Sequence, residues 1–135
     1  MKSLVLRPGE SDAAATGGMV GVLDYTAPPG TPGPPAHVHH ETAEVFFVTE
    51  GELTMRLGDE TLTLPPGGFV LVAPETVHTF SNPGAGPARF LGLMFPAGFE
   101  QYFRELRDAL GDGPLDPAVI AAISARYDVE NVGAR

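Results

Sequence analysis

The sequence of 135 residues contains no cysteine. The chain can therefore form neither a disulfide framework nor a thiolate metal site, and any metal ion it binds must have nitrogen and oxygen ligands. The lack of cysteine is compatible with the reducing cytosol, and we expect the protein to be cytoplasmic. A chain of this length is expected to form one domain with a hydrophobic core that needs no covalent support.

Basic residues and long apolar segments are also scarce. Eight lysines and arginines stand against 17 acidic residues, which gives a formal net charge of −9. Phosphate binding needs a basic surface, so we expect no nucleic-acid partner; the charge mainly favours solubility. Residues 1–6 lack the apolar core of a signal peptide, and no apolar run approaches the length of a membrane span, so we expect no membrane partner.

The first two thirds of the chain consist of short apolar or alternating segments between turns rich in proline and glycine. Leu53, Met55 and Leu57 alternate with polar residues, as in a half-buried strand. The Gly58-Asp59 turn that follows predicts a β-hairpin with the next segment. Many short strands at near-regular spacing predict an all-β sandwich or barrel.

The last third of the chain has a helical pattern. One helix is predicted over residues 99–110, with its buried stripe formed by Phe99, Phe103 and Leu106. A second helix is predicted to begin at Asp116-Pro117, an N-cap followed by proline at the first helical position, and to bury Ile120, Ile123 and Tyr127. We therefore predict a β domain over residues 1–97 and a helical extension over residues 98–135 that packs on it.

Four residues have the chemistry and spacing of a metal site: His37, His39, Glu44 and His78. On a strand, side chains two residues apart point to the same face, so the first two histidines project together. A carboxylate that shares a face with apolar neighbours is costly unless it is paired or bound to a metal. A single histidine in a strand is usually a hydrogen-bonded structural residue, but the combined pattern predicts one divalent metal ion per chain: iron, manganese, nickel, copper or zinc. The adjacent His40 and Glu41 are interpreted as a surface pair at a loop edge, with a role in substrate binding or proton transfer as the alternative.

The spacing of these residues resembles the first motif of the cupin superfamily. That motif contains a glycine, five residues, His-x-His, three or four residues, a glutamate, six residues and a glycine. The chain matches it from His37 to Gly51. The leading glycine is displaced, because Thr31 stands at the expected position and Gly30 beside it.

The second cupin motif contains a glycine, five residues, Pro-x-Gly, two residues, a histidine, three residues and an asparagine. Its ends are matched by Gly67, His78 and Asn82, whereas Ala73 and Glu75 replace the proline and the glycine. The resemblance covers about residues 20–95. It implies a small antiparallel β-barrel of jelly-roll type, with His37, His39, Glu44 and His78 as metal ligands, and it is strongest toward small bacterial cupins similar to quercetin 2,3-dioxygenases.

Three functions are compatible with this ligand set. The first is a dioxygenase acting on a small phenolic or enolic compound, with Glu44 as ligand or catalytic base and an apolar pocket wall formed by Phe46, Met55, Phe80, Phe90 and Met94. The same apolar residues could instead serve only as core. The second is a non-oxidative isomerase, cyclase or decarboxylase in which the metal is a Lewis acid. The third is a small-molecule-binding protein without turnover. We also expect a homodimer, because unpaired sheet edges need cover.

Overall fold

The computed structural model describes Val5 and residues 18–98, 100–111, 113–114 and 116–133, and gives only the backbone of Glu100, Phe103 and Gly133. The strands in these residues are β1 (Gly21–Ala27), β2 (Ala36–Val38), β3 (Ala43–Glu50), β4 (Leu53–Leu57), β5 (Glu60–Leu64), β6 (Phe69–Val72), β7 (His78–Ser81), β8 (Ala88–Phe95) and β9 (Glu130–Gly133). The helices are α1 (Glu100–Leu110) and α2 (Pro117–Ser124). The many short strands predicted for the first two thirds of the chain are therefore confirmed.

The strands form two antiparallel sheets. One has the order β1-β8-β3-β6 and the other the order β5-β4-β7-β2-β9. Strands from both sheets contribute to one core, whose buried members are Phe46, Val48, Leu53, Met55, Val70, Val72, Ala88 and Phe90. This arrangement of two facing sheets is the predicted jelly roll. The predicted hairpin is also present, because β4 pairs with β5 across a turn in which Gly58 has a φ of 57°.

A second buried cluster joins the helices to the strands. Met94 on β8 packs with Tyr102 of α1 and Ile123 of α2, and Leu106 lies partly buried against them. The Asp116 side chain accepts a hydrogen bond from the Ala118 backbone at 3.0 Å, which confirms the predicted N-cap of α2. Phe99 and the side chain of Phe103, which were predicted to be buried, lie outside the described residues. Neither described helix has the length and apolar character that crossing a membrane requires.

The strand β9 was not predicted. The sequence indicated only helices after residue 97, yet Glu130–Gly133 pairs antiparallel with β2 and forms the edge of the five-stranded sheet. The extension therefore contributes sheet as well as helix. This pairing places Glu130–Gly133 beside the strand that carries the first predicted ligand.

Candidate metal centre

The four predicted ligands meet between the two sheets. His37 on β2 and His78 on β7 are direct cross-strand partners, and their rings lie 4.3 Å apart between centroids. His39 follows the end of β2, and its ring lies 5.1 Å from each of the other two. Glu44 comes from β3 in the opposite sheet, and its Oε2 atom lies 3.2 Å from His39 Nε2 and 3.1 Å from His78 Nε2.

One ligand atom from each residue can be chosen so that all four lie within 4.8 Å of one another. Ligands placed about 2.1 Å from a shared ion would be separated by at most roughly 4.2 Å, which is close to this arrangement. All four residues are buried; His37 is 8% exposed, and Glu44 only 4%. The set can therefore hold one metal ion shielded from bulk water.

Backbone carbonyl groups orient all three imidazoles. The Nδ1 atoms of His37, His39 and His78 lie 2.8, 2.6 and 2.9 Å from the carbonyl oxygens of Pro35, Asp128 and Thr76. A carbonyl oxygen only accepts hydrogen bonds, so each Nδ1 must carry the proton, and a neutral ring then has its lone pair on Nε2. This is the tautomer that a metal bound at Nε2 requires.

The charges in the centre also suit a cation. Burial alone would raise the pKa of Glu44, but hydrogen bonds from His39 and His78 hold that pKa at about 2, so the carboxylate is ionised. Burial lowers the pKa of His37 to about 4, with a further contribution from His78. Burial also acts to lower the pKa of His39, but the hydrogen bond and the charge of Glu44 outweigh it and raise that pKa. The centre thus contains a buried negative charge beside His37, whose pKa is lowered, and His39, whose pKa is raised.

Of the five predicted wall residues, Phe46, Met55, Phe90 and Met94 are buried, and Phe80 is partly buried. The Phe46 ring is 6.4 Å from the His78 ring and 5.2 Å from the Phe90 ring, and Phe80 is 5.2 Å from Phe90. Met55 pairs with Phe80 across neighbouring strands. Met94 is the β8 residue opposite Glu44.

Two surface cavities, of about 400 and 310 Å³, are lined neither by the ligands nor by these wall residues. In this conformation Phe46, Met55, Phe90 and Met94 are almost completely buried and serve as core. A substrate that reached the centre would have to displace or rearrange part of this packing.

His40 and Glu75, both near the centre, have contacts that the sequence did not predict. His40 is exposed, as expected, but its ring contacts Glu75 and Glu130, at 2.9 and 2.8 Å, rather than Glu41. Glu75, which replaces the glycine of the second cupin motif, has a φ of 71°. Its backbone N–H donates to the His39 carbonyl at 2.7 Å. The turn that glycine favours is therefore kept with a residue that adopts it less readily.

The contribution of Asp128 could not be read from the sequence. Its carbonyl accepts the His39 Nδ1 proton across a separation of 89 residues, and its carboxylate accepts hydrogen bonds from the same loop. A single aspartate after a short helix carries no pattern that predicts such a contact. The carbonyls of Pro35 and Thr76 each lie two residues before their histidine, and each depends on a local turn.

Comparison with known proteins agrees with this geometry. Over 98 residues the chain is 30% identical to quercetin 2,3-dioxygenase of Bacillus subtilis, covering 73% of this chain but only 28% of that protein. A solved structure from Thermus thermophilus matches with a TM-score of 0.55 and 28% identity, over 58% of this chain and 74% of that one.

A second solved structure, a sugar phosphate isomerase of the cupin superfamily from Silicibacter pomeroyi, matches with a TM-score of 0.56 and 27% identity. The match covers 62% of this chain and 56% of that one. The cupin domain family matches residues 23–94, which span more than half of the chain and include all four converging residues. With its two facing sheets and its buried His/Glu cluster, the chain belongs to the cupin family.

Proposed function

We propose that the protein is a metal-dependent enzyme, a dioxygenase that acts on a small phenolic or enolic compound. One divalent metal ion would be held by His37, His39, His78 and Glu44. The observation that carries this proposal is the commitment of all three Nδ1 protons to backbone carbonyls, which leaves each Nε2 free for a metal. The Nε2 atoms of His39 and His78 lie 3.2 and 3.1 Å from the buried Glu44 carboxylate.

Without a cation this arrangement is unfavourable. With Nδ1 bonded to a carbonyl, His39 and His78 can donate from Nε2 to Glu44 only if each ring carries a second proton. A neutral ring would instead turn a lone pair toward the carboxylate, and two acceptors repel each other. The raised pKa of His39 favours such a proton on that ring, whereas the pKa of about 4 keeps the neighbouring His37 ring neutral near pH 7. A buried charge must be paired or coordinated, and a divalent ion satisfies all four groups at once.

A bound metal would supply a Lewis acid for a substrate hydroxyl or enol oxygen and, if redox active, the means to couple the substrate to O₂. The chain's own contribution is to exclude water and to fix the substrate. Phe46 and Met94, beside His78 and Glu44, would form the nearest apolar wall, and Met55, Phe80 and Phe90 would extend it inward.

The interior surface favours an uncharged or weakly acidic substrate. In the described strands the basic residues are Arg56 and Arg89, and each alternates with buried residues and so points outward. Arg89 is also paired with Asp24 at 2.6 Å. A phosphorylated substrate would find no cationic side chain on the inner face of these strands.

Glu44 is proposed as the fourth ligand and as the base toward the substrate hydroxyl. A carboxylate with a pKa of about 2 binds a proton weakly, so Glu44 would accept a proton only from a substrate hydroxyl whose pKa a bound metal would lower. The similarity to the Bacillus quercetin 2,3-dioxygenase supports oxygen chemistry for this chain, although the chain spans about a quarter of that protein's length.

A non-oxidative isomerase is the second candidate. The similarity to the Silicibacter sugar phosphate isomerase favours it, and the same four ligands could serve a metal that acts only as a Lewis acid. The outward arginines count against a phosphorylated sugar as its substrate. The two candidates are separated by whether turnover consumes oxygen.

The test begins with metal analysis of the protein purified without a histidine tag or added metal. We expect about one divalent ion per chain, lost in His39→Ala and kept in His40→Ala, a matched variant of the adjacent exposed histidine. The protein is then assayed on a panel of flavonols, catechols and 1,3-diketones with an oxygen electrode. Oxygen uptake that depends on the metal supports the dioxygenase, and turnover under nitrogen supports the isomerase. Equal metal content in both variants, or none in the wild type, would overturn the proposed metal centre.

A further inference from the structure

The loop that carries His39 is held by one residue of the C-terminal extension. The Asp128 carboxylate accepts hydrogen bonds from the His40 and Glu41 backbone N–H groups, at 2.8 and 2.9 Å, and from the Thr42 hydroxyl at 2.9 Å. The carbonyl of Asp128 accepts the Nδ1 proton of His39 at 2.6 Å. One residue thus contacts four consecutive positions of the loop.

We propose that Asp128 is a positioning residue of the metal centre, which fixes the tautomer and orientation of His39 from outside the β domain. This rests on the proposed metal binding and adds to it a role for the extension. The carboxylate does not touch the His39 ring. It acts by holding the carbonyl of its own residue at a fixed place relative to that ring.

Among the three histidines, His39 is the one whose ring orientation depends most on contacts with residues distant in sequence. Pro35 and Thr76 lie two residues from the histidines they orient, so those carbonyls are placed by the local backbone. The carbonyl of Asp128 is 89 residues from His39, and only tertiary contacts keep it there. The orientation of one ligand in three therefore depends on where the extension docks.

The extension is anchored on both sides of Asp128. Before it, the Tyr127 hydroxyl donates to Glu105 of α1, and the Tyr127 ring packs 5.7 Å from the Tyr102 ring. After it, β9 pairs with β2, with Glu130 opposite Val38. Asp128 therefore lies on a short segment between two attachments, where its carboxylate sets the fine position of the carbonyl. Burial alone would raise the pKa of Asp128, but the donors of the loop outweigh it and lower that pKa, so the group stays ionised.

The variants are chosen to separate positioning from general stability. Asp128→Ala removes all three hydrogen bonds to the loop, and Asp128→Asn keeps one acceptor oxygen but directs an amide N–H₂ toward a donor. Asp116→Ala is the matched control, because it removes an aspartate of the same extension that caps α2 and does not contact the loop. Loss of such a cap lowers stability by about 1 kcal/mol.

Two measurements are made on the whole 135-residue chain. The first is the affinity for Zn²⁺ alone, determined by competition with a chelator. The loss of groups that orient a metal-ligating histidine typically costs 10- to 100-fold in affinity. We expect such a loss in Asp128→Ala, a smaller one in Asp128→Asn and none in Asp116→Ala.

The second measurement is the ¹⁵N chemical shifts of the imidazoles in the metal-free protein at alkaline pH. We expect both tautomers of His39 in Asp128→Ala but only the Nδ1-protonated form of His37 and His78, which serve as internal standards.

Each outcome has a defined meaning. Unchanged Zn²⁺ affinity in both Asp128 variants, or an unchanged His39 tautomer, would overturn the positioning role while leaving the metal centre intact. Wild-type protein that binds no Zn²⁺ would instead overturn the proposed function. If Asp128→Ala does not fold, Asp128→Asn decides the question by the same two readouts. An equal loss of affinity in Asp116→Ala would mean that the extension acts only through stability, which would also overturn the proposal.

Discussion

Asn82, the residue that ends the second cupin motif, offers a test of the fold that is independent of any metal. Its side chain is 1% exposed. Its Nδ2 donates to the carbonyls of Ala27, Pro28 and Gly86 at 3.0, 3.2 and 2.8 Å, and its Oδ1 accepts the Gly84 N–H at 3.1 Å. A single amide therefore ties the end of β1 to the loop after β7.

Replacing Asn82 with Ala removes these hydrogen bonds and leaves buried carbonyls unsatisfied. At about 1 kcal/mol for each of three to four bonds, the free energy of unfolding should fall by about 3 kcal/mol. Asn82→Asp has nearly the same shape but places carboxylate oxygens against three carbonyl oxygens. An uncompensated buried charge costs about 3–5 kcal/mol, so this variant should lose more stability than Asn82→Ala near pH 7.

The pH dependence separates the two variants. The introduced carboxyl is buried among acceptors, so its pKa in the folded state should lie above the unfolded value of about 3.9. The penalty is then absent below the unfolded pKa and develops fully as pH rises through the folded pKa. Urea denaturation at pH 7 and at about pH 4.5 should show Asn82→Asp recovering stability relative to Asn82→Ala at the lower pH. Wild-type stability of Asn82→Asp at pH 7 would refute this account of the loop.

Four further outcomes are expected. Deleting residues 98–135 should lower the free energy of unfolding by several kcal/mol, since buried side chains such as Tyr102 each contribute about 2 kcal/mol. An unchanged melting temperature would show that these residues do not stabilise the rest of the protein. Glu44→Gln should keep much of the metal but reduce turnover in steady-state assays, and a wild-type rate would exclude Glu44 as the base. Metal retention, measured by dialysis across a pH series, should fall as the pH is lowered, because protons compete with the metal for the Nε2 of His39, whose pKa is raised. Light scattering should show a homodimer through the edge strand β6, where Phe69 is 61% exposed, and Phe69→Ser should weaken it.

The convergence of the ligands was predictable because it depends on local alternation and on strand order. His37 and His39 share a face by strand geometry alone. The resemblance to the two cupin motifs predicted that His78 joins His37 and His39 in one site. In the structure His78 is the direct cross-strand partner of His37. The capped start of α2 was predictable for a similar reason, since Asp116 and the proline after it act within one turn.

The contribution of the extension was not predictable, because it depends on contacts between distant residues. The four residues of β9 show no alternation of apolar and polar side chains, and the strand forms only because an edge of β2 is available to it. Asp128 acts across separations of 86 to 89 residues. The packing of Phe46 and Phe90 into a closed core likewise depends on the exact approach of two sheets, whereas their apolar character indicated only that they face inward.

The carbonyl bonds to the three imidazoles also bear on the thermodynamics of filling the centre. A flexible ligand set loses side-chain entropy when it closes on an ion, by an amount on the order of 1 kcal/mol for each ordered side chain. Here the carbonyl hydrogen bonds already fix the three rings. Binding of a metal would then displace protons and water, and it would order little of the protein. Calorimetry should accordingly find an entropy of binding dominated by solvent release.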